Sequence, residues 1–175
     1  MEFEQREFII EQKFIALQDT YVIRDKIGNQ LGIVKKKLIS ATSAFTVEDN
    51  TDILAEIRAQ FLTLHDTFRI LDREGKLVAK INKKIFKILS SAFWIEDSNK
   101  NKLYWIEGNF SKHDYMFKDM NKNVVAIVHK KWATLRDSYC LEITGEIDPL
   151  LAICSCIAID QKLEGLLVKQ RYSPV

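Results

Sequence analysis

The sequence of 175 residues predicts a mainly β protein, a closed antiparallel barrel of twelve strands around one buried, apolar C-terminal helix. Two observations predict this fold. A hairpin-sized pattern repeats along the first 144 residues, and the single segment that departs from it is apolar on every side. We expect one domain over residues 1–175, with strands over about 7–144, a central helix over about 149–164 and a short tail over 166–175.

Each repeat is centred on an aromatic residue in a stretch where apolar and polar residues alternate. The aromatic residues lie 22 to 25 positions apart, at Tyr21, Phe45, Phe68, Phe93, Tyr115 and Tyr139. A second alternating stretch follows each of the first five, as in Leu77-Val-Ala-Lys-Ile-Asn82. Alternation with period two is typical of strands with one buried face. With an opening strand over residues 7–13, the pattern predicts twelve strands.

The two stretches of a repeat are joined by short segments rich in Asp, Asn and Gly, such as Gly28-Asn29 and Asp72-Arg-Glu-Gly75. These residue types tolerate positive φ, which tight hairpins require. Short connections make neighbouring strands antiparallel, and a sheet of this size normally closes to remove its edges. A propeller would have four-stranded blades and a longer period, so the repeat favours a barrel.

The last segment carries the signals of a helix. Asp148-Pro149 is a good start, because Asp accepts hydrogen bonds from free N–H groups and Pro suits the first helical position. Residues 150–159 are apolar all round, and Gly165 is the predicted end. Such a helix must be buried on every side, which in an all-β chain means inside the barrel. Small residues expected to face inward leave room for it, with Tyr104 the exception: Gly32, Ala55, Ala79 and Ala126.

Composition limits the classes of function. The net charge is +2, and 47% of residues are hydrophobic and 29% charged, as in soluble globular proteins. Cys140, Cys154 and Cys156 form no CxxC pair and no even set, so we expect small buried thiols in a reducing compartment. The N-terminus lacks the apolar region of a signal peptide. The longest uncharged apolar stretch, residues 149–159, is too short to cross a membrane. We expect a cytoplasmic protein.

Catalytic signals are weak. The sequence has no GxSxG, HExxH, GxGxxG or P-loop motif. His65 and His113 each precede an Asp, which leaves a metal or acid–base site as an alternative. The same Asp recurs without His at Asp19 and Asp137, which favours a turn-forming role. Asp160 is expected near the barrel mouth, hydrated or paired with a lysine. We therefore expect no enzyme, no cofactor and no metal.

The charges divide between the two ends of the barrel. The end with the tight turns carries about −2, whereas the opposite rim carries about +7. The candidate anion-binding or lipid-binding residues on that rim are Lys35, Lys36, Lys37, Lys83, Lys84, Lys130, Lys131 and Arg136. A basic rim is typical of a surface that meets phosphate groups. The alternative is that these lysines are solvated strand ends that limit edge aggregation.

Several short segments recur in the order of one known family: Leu17-Gln-Asp19-Thr-Tyr21, Leu64-His-Asp66-Thr-Phe68, Gly75-Lys-Leu-Val-Ala-Lys80, Leu135-Arg-Asp137-Ser-Tyr139 and Ala158-Ile159-Asp160. Over nearly its full length the chain resembles the LURP-one-related family, relatives of tubby C-terminal domains and phospholipid scramblases. The resemblance implies the tubby-like barrel with a central helix. It also implies a link to membranes, because tubby domains bind phosphoinositide headgroups through basic surface residues. No ligand motif of the family maps onto this sequence residue by residue.

The leading hypothesis is a non-enzymatic binding module. Its basic rim would bind anionic lipid headgroups of the phosphoinositide kind, or another phosphate-bearing ligand, and could place the protein at a membrane surface. The first alternative is a structural or protein-interaction domain without a small ligand. An enzyme ranks third and nucleic-acid binding fourth.

Overall fold

The computed structural model describes residues 5–15, 18–39, 42–60, 67–84, 92–130 and 138–172. Within these ranges the chain forms twelve strands, a 3-10 turn at Phe110–Lys112 and one α-helix, α1 (Pro149–Tyr172). The strands are β1 (Glu7–Ile15), β2 (Gln18–Arg24), β3 (Gln30–Ile39), β4 (Thr42–Glu48), β5 (Ile53–Gln60), β6 (Thr67–Asp72), β7 (Leu77–Lys84), β8 (Ala92–Glu96), β9 (Lys102–Asn109), β10 (Asp114–Lys118), β11 (Val124–Lys130) and β12 (Ser138–Ile143).

The strands close into an antiparallel barrel. Each strand pairs with its neighbours in the chain, and β1 pairs with β12 to complete the ring, with Ile9 opposite Cys140. Closure leaves no open edge for another chain to extend. The predicted twelve-stranded barrel is therefore confirmed.

The aromatic residues of the repeat all point into the barrel, each at most 6% exposed. One lies on each even-numbered strand, so their order around the barrel follows the order of the strands. Tyr115, Tyr139 and Tyr21 are successive members on β10, β12 and β2, whereas the members on β4, β6 and β8 are phenylalanines. The interior at this position therefore has a tyrosine half and a phenylalanine half.

Helix α1 occupies the centre of the barrel, as predicted. Residues 151–160 are all buried, and the helix backbone comes nearest to β5, β6, β7 and the 3-10 turn. At its start, Asp148 Oδ1 accepts a hydrogen bond of 2.8 Å from the Leu151 N–H. The small residues predicted to make room for the helix are all buried: Gly32, Ala55, Ala79 and Ala126.

The predicted end of the helix is wrong. The helix passes through Gly165 and continues to Tyr172, so the expected tail from residue 166 is mostly helical. A glycine ends a helix when it takes up positive φ and the chain turns away. Within a helix it costs only about 1 kcal/mol relative to alanine, so its presence does not force an end.

The cysteines lie in two environments. Cys154 and Cys156 are buried on α1 as expected, whereas Cys140 on β12 is only half-buried. Cys140 lies between the inward-facing Tyr139 and Leu141, so the alternation of the strand directs it outward. The expectation of a buried side chain is therefore wrong for Cys140.

An aspartate opens each of the hairpin turns that join β2–β3, β4–β5, β6–β7, β8–β9 and β10–β11. In the last of these, Asp119 Oδ1 accepts the backbone N–H groups of Asn121 and Asn123 at 2.8 Å each. Positive φ falls instead three residues after the aspartate, on Gly28, Gly75, Lys100 and Lys122. The aspartates thus act as hydrogen-bond acceptors. Of the residue types expected to allow positive φ in these turns, glycine does so at Gly28 and Gly75, whereas lysine takes that position in two other turns.

Candidate functional site at the barrel mouth

The barrel mouth is defined here as the end of the barrel opposite the aspartate turns, where α1 emerges beside the turn between β9 and β10. Of the eight residues predicted to form a basic rim, Lys36, Lys83 and Lys130 start from the inner face of the barrel. Lys35 and Lys37 are exposed on the outer face. Lys84 ends β7, with its side chain outside the description, and Lys131 and Arg136 lie outside the described residues.

Lys36, Lys83 and Lys130, the mouth lysines, share one position in the repeat. They lie directly opposite Phe45, Phe93 and Tyr139, respectively. Residues opposite each other in an antiparallel pair project from the same face of the sheet, and these aromatic side chains point inward. The intervals between the lysines are both 47 residues, two hairpin repeats.

The remaining aromatic residues face neutral partners at this position. Gln12 lies opposite Tyr21, Ala59 opposite Phe68, and Gly108 opposite Tyr115. Around the mouth, the six positions therefore alternate between lysine and an uncharged residue. This arrangement spaces three cations around the opening.

Aromatic rings lie beside the ammonium groups of two of the mouth lysines. Lys36 Nζ lies 5.8 Å from the centroid of the Phe45 ring, and Lys83 Nζ lies 6.0 Å from that of Phe93. Burial lowers the pKa of Lys83 below its ordinary value of 10.5. The ring face partly compensates this loss of hydration, because its negative quadrupole attracts the cation.

Lys35 belongs to the outer wall. Its ammonium forms an ion pair of 2.5 Å with Glu48 Oε2, and the Thr46 hydroxyl donates to Glu48 Oε1 at 2.9 Å. Burial alone would raise the pKa of the Glu48 carboxyl, but the hydrogen bonds from Lys35 and Thr46 lower it. The structure therefore separates Lys35 from the mouth lysines.

His113 contacts α1 at the barrel mouth. His113 ends the 3-10 turn in the left-handed conformation (φ 49°, ψ 49°), and its Nε2 lies 2.7 Å from Asp160 Oδ1. Its ring stacks on Tyr139, with centroids 4.7 Å apart and planes 10° apart. The expectation that Asp160 is hydrated or paired with a lysine is corrected, because its partner is His113.

Two ionisable groups in the interior near this contact are held in their protonated forms. Burial raises the pKa of the Cys156 thiol to about 12 and raises that of the Tyr139 hydroxyl well above 10.0, so both stay protonated at neutral pH. Asp114, which follows His113, is exposed. His65, the other histidine followed by an aspartate, lies outside the described residues. The described part of the chain contains no group of three or more His, Cys, Asp or Glu that could hold a metal ion.

One basic group was missed by the sequence reasoning. Arg58, Arg69 and Lys80 lie side by side on the outer face of β5, β6 and β7, in direct register. A signal was present in the sequence, since the three residues are 11 positions apart in successive strands. This spacing shows that the three residues are neighbours only if the pairing register is known, and the register depends on the turn between each pair of strands.

Comparisons with known proteins agree with this fold. The family model described as LURP-one-related matches residues 6–160. The uncharacterised protein YxjI of Bacillus subtilis is 28% identical over 156 residues, covering 89% of this chain and 76% of YxjI. An X-ray structure of a protein from Arabidopsis thaliana superposes with a TM-score of 0.65 at 14% identity, over 89% of this chain and 91% of that one.

The Arabidopsis likeness concerns the fold alone, whereas the family match spans most of the sequence. Among the described helical residues, no helix is long and apolar enough to cross a membrane. The match over residues 6–160 covers the strands and the buried part of α1. The chain belongs to the LURP-one-related family.

Proposed function

We propose that this protein is a non-enzymatic, tubby-like binding domain that takes an anionic, phosphate-bearing ligand at the barrel mouth. An anionic lipid headgroup of the phosphoinositide kind is the preferred ligand, and it would bring the protein to a membrane surface from the cytoplasm. The observation that carries the proposal is the placement of Lys36, Lys83 and Lys130 at equivalent positions around one opening.

Three cations around an opening favour a ligand with several negative charges. Lysines near an anionic membrane contribute about 1 kcal/mol each, so three correspond to about 100-fold in affinity. The contribution falls with added salt, because mobile ions screen the charges. Membership of the LURP-one-related family supports a binding role, since the related tubby domains use basic surface residues for phosphoinositides.

Vesicle flotation tests the proposal. Vesicles of phosphatidylcholine alone, or containing phosphatidylserine or a phosphoinositide, are floated with the protein at low salt. We expect binding to the anionic vesicles only, and a loss of about 100-fold in the triple variant Lys36→Gln, Lys83→Gln, Lys130→Gln.

A charge-matched control distinguishes binding at the mouth lysines from a general attraction between the protein's positive charge and the vesicle. The variant Lys35→Gln, Lys37→Gln, Lys102→Gln removes three exposed lysines from the outer wall. We expect it to keep most of the binding. No binding of the unaltered protein, or an equal loss in both triple variants, contradicts the proposal.

A second candidate is a protein-interaction domain, and one surface feature favours it. Trp94 and Trp105 form a half-exposed pair on the outer wall, with ring centroids 6.1 Å apart. Lys102 Nζ lies 4.5 Å from the Trp105 centroid and 5.6 Å from that of Trp94. Light scattering tests self-association through this pair. A dimer of the unaltered protein that dissociates in the double variant Trp94→Ala, Trp105→Ala supports this function. If the unaltered protein and the variant are both monomers, self-association is contradicted.

A further inference from the structure

A row of cations on the outer wall of the barrel, Arg58, Arg69 and Lys80, is distinct from the mouth lysines. We call these residues the wall cations. Arg58 on β5 lies opposite Arg69 on β6, and Arg69 lies opposite Lys80 on β7. Their chain neighbours Ile57, Ile70, Ala79 and Ile81 are buried in the core, so strand alternation directs the wall cations outward.

By itself, this row of like charges lowers the stability of the folded protein. Like charges directly opposite each other on paired strands destabilise a sheet, and neighbouring strands are only about 4.8 Å apart. Folding requires no cation at any of the three positions, because all three face away from the core. A negative charge beside the row would therefore offset the repulsion between its cations.

The nearby carboxylates compensate it only in part. Glu56 is engaged with Arg58 through two contacts, Nε to Oε1 at 2.7 Å and a second guanidinium nitrogen to Oε2 at 3.1 Å. These hydrogen bonds lower the pKa of Glu56 and raise that of Arg58. Glu96 lies opposite Lys80 but accepts the Trp94 indole N–H at 3.3 Å.

Arg69 and Lys80 are left without an ion pair among the residues that the structure describes. Arg69 is half-buried, and its Nε is buried with no hydrogen-bond partner in that part of the chain. A buried donor without an acceptor is costly, since it has lost its water and gained nothing in return. An external oxyanion would supply the missing acceptor once the guanidinium turns to expose Nε.

We propose that Arg69 and Lys80, with Arg58 beside them, form a binding site for a phosphate monoester group. A guanidinium offers parallel N–H donors that match two oxygens of one phosphate, and an ammonium adds a point charge toward a third. The charge of about −1.5 to −2 on such a group removes the repulsion within the row. The monoester belongs either to a small soluble molecule, for which inorganic phosphate is the probe of the same charge, or to the headgroup of a lipid. This site lies on the other face of the sheet from the mouth lysines and does not depend on them.

NMR detection of arginine side chains tests the site directly. Inorganic phosphate replaces chloride at constant ionic strength, and the Nε–H signals of the 15N-labelled protein are followed. We expect a saturable shift of the Arg69 signal, assigned by its absence in Arg69→Met. In a parallel arm, flotation with phosphatidylcholine vesicles containing phosphatidic acid shows whether the phosphate on a lipid also binds.

Two variants locate the effect. We expect Lys80→Met to weaken phosphate binding at least about tenfold, because it removes a charge-assisted hydrogen bond. Arg24→Met is the matched control, because Arg24 lies on β2 in an ordinary ion pair of 3.2 Å with Glu11. It should bind phosphate as the unaltered protein does, and so should the variant lacking the mouth lysines. The latter result distinguishes this site from the mouth.

Urea denaturation distinguishes a phosphate-binding role of Arg69 from a purely structural role. In phosphate-free buffer, Arg69→Met should unfold at the same or a higher urea concentration than the unaltered protein, because it relieves the repulsion. Phosphate should raise the midpoint of the unaltered protein by more than it raises that of Arg69→Met. The proposal is overturned if the unaltered protein responds in neither the phosphate nor the vesicle arm, or if Lys80→Met leaves the Arg69 shift unchanged.

Discussion

The His113–Asp160 contact ties the central helix to the barrel wall. The two residues are 47 positions apart in the chain, and Asp160 is only 7% exposed. A carboxylate at this depth needs a partner, because burial removes most of its hydration. His113 provides that partner while its ring covers Tyr139.

We expect His113→Ala to lower the free energy of unfolding by about 1–3 kcal/mol, because Asp160 then stays buried without its partner. Adding Asp160→Asn to His113→Ala should recover part of the loss, since it removes the buried charge. Urea denaturation of the single and double variants measures both effects. A loss below about 0.5 kcal/mol in His113→Ala would contradict a stabilising contact.

Gly108 is needed where β9 meets β10. It has φ +142°, and a Cβ placed there would lie 2.5 Å from the Asp114 carbonyl oxygen and 2.5 Å from the Tyr115 Cα. Both of these are backbone atoms, which cannot rotate out of the way as a side chain can. The glycine therefore permits the close approach of the strand that carries Tyr115.

We expect Gly108→Ala to destabilise the protein by more than about 2 kcal/mol, through clash and backbone strain together. Gly75→Ala is the control, because Gly75 has φ +80° but nothing within 4 Å of an added Cβ. Strain alone should cost about 1–2 kcal/mol there. Chemical denaturation compares the two, and equal losses would show that the close approach is unimportant.

At the scale of elements, the aspartate turns are the recurring device that reverses the chain. Asp25, Asp97 and Asp119 each accept a side-chain hydrogen bond from an asparagine four residues later, at 2.8–2.9 Å. In each of these hairpins the pairing of the two strands also shifts register next to the turn, where one residue of the second strand is left out of the pairing. Such irregularities increase strand twist, which helps a sheet to close.

These turns predict acid sensitivity. The hydrogen bonds from the Asn101 and Asn123 side chains are the main cause that lowers the pKa of Asp97 and Asp119 below 3.8. A pKa lowered by folding adds stability above pH 3.8, and this stability is lost as the pH falls through the folded-state value. We expect the Tm to fall between about pH 4 and pH 2.

The double variant Asp97→Asn, Asp119→Asn should have a lower Tm at pH 6 and a flatter Tm profile below pH 4. Glu74→Gln is the control, because this exposed carboxyl lies on the same rim and has no hydrogen bond within the described residues. Calorimetry from pH 6 to pH 2 measures the profiles. Parallel profiles for the double variant and the unaltered protein would refute the role of these carboxylates.

At the scale of the whole molecule, the barrel and the helix depend on each other. Small side chains on the inner wall, such as Ala55 and Ala79, leave the space that α1 fills. The wall in turn shields a helix whose residues 152–159 are all fully buried. Interiors packed at this density tolerate extra volume poorly.

We expect Ala79→Leu to lower the free energy of unfolding by about 1–3 kcal/mol, because the added side chain displaces the helix. Val78→Leu is the control on the same strand, since Val78 is 45% exposed on the outer face. It should change stability by less than about 0.5 kcal/mol. Thermal and urea unfolding measure both, and similar losses would argue against a tightly filled interior.

Local patterns made most of the fold predictable. The aromatic spacing from Tyr21 to Tyr139 predicted the strands and their closure, and the apolar stretch after Pro149 predicted a buried helix. The helix end was not predictable, because Gly165 is compatible with both a stop and a continuation. Of the predicted basic residues whose side chains the structure describes, only Lys36, Lys83 and Lys130 start from the inner face, whereas Lys35 lies outside with Glu48.

The sequence by itself determined the number of strands, the barrel and the burial of its helix, since period-two alternation and an all-apolar helix admit few other packings. Only the tertiary structure decided which charges meet. His113 reaches Asp160 across the interior, and Arg58, Arg69 and Lys80 align across three strands. The physical reason is register: a shift of one residue moves a side chain to the other face, and turns and bulges far from each residue set that shift.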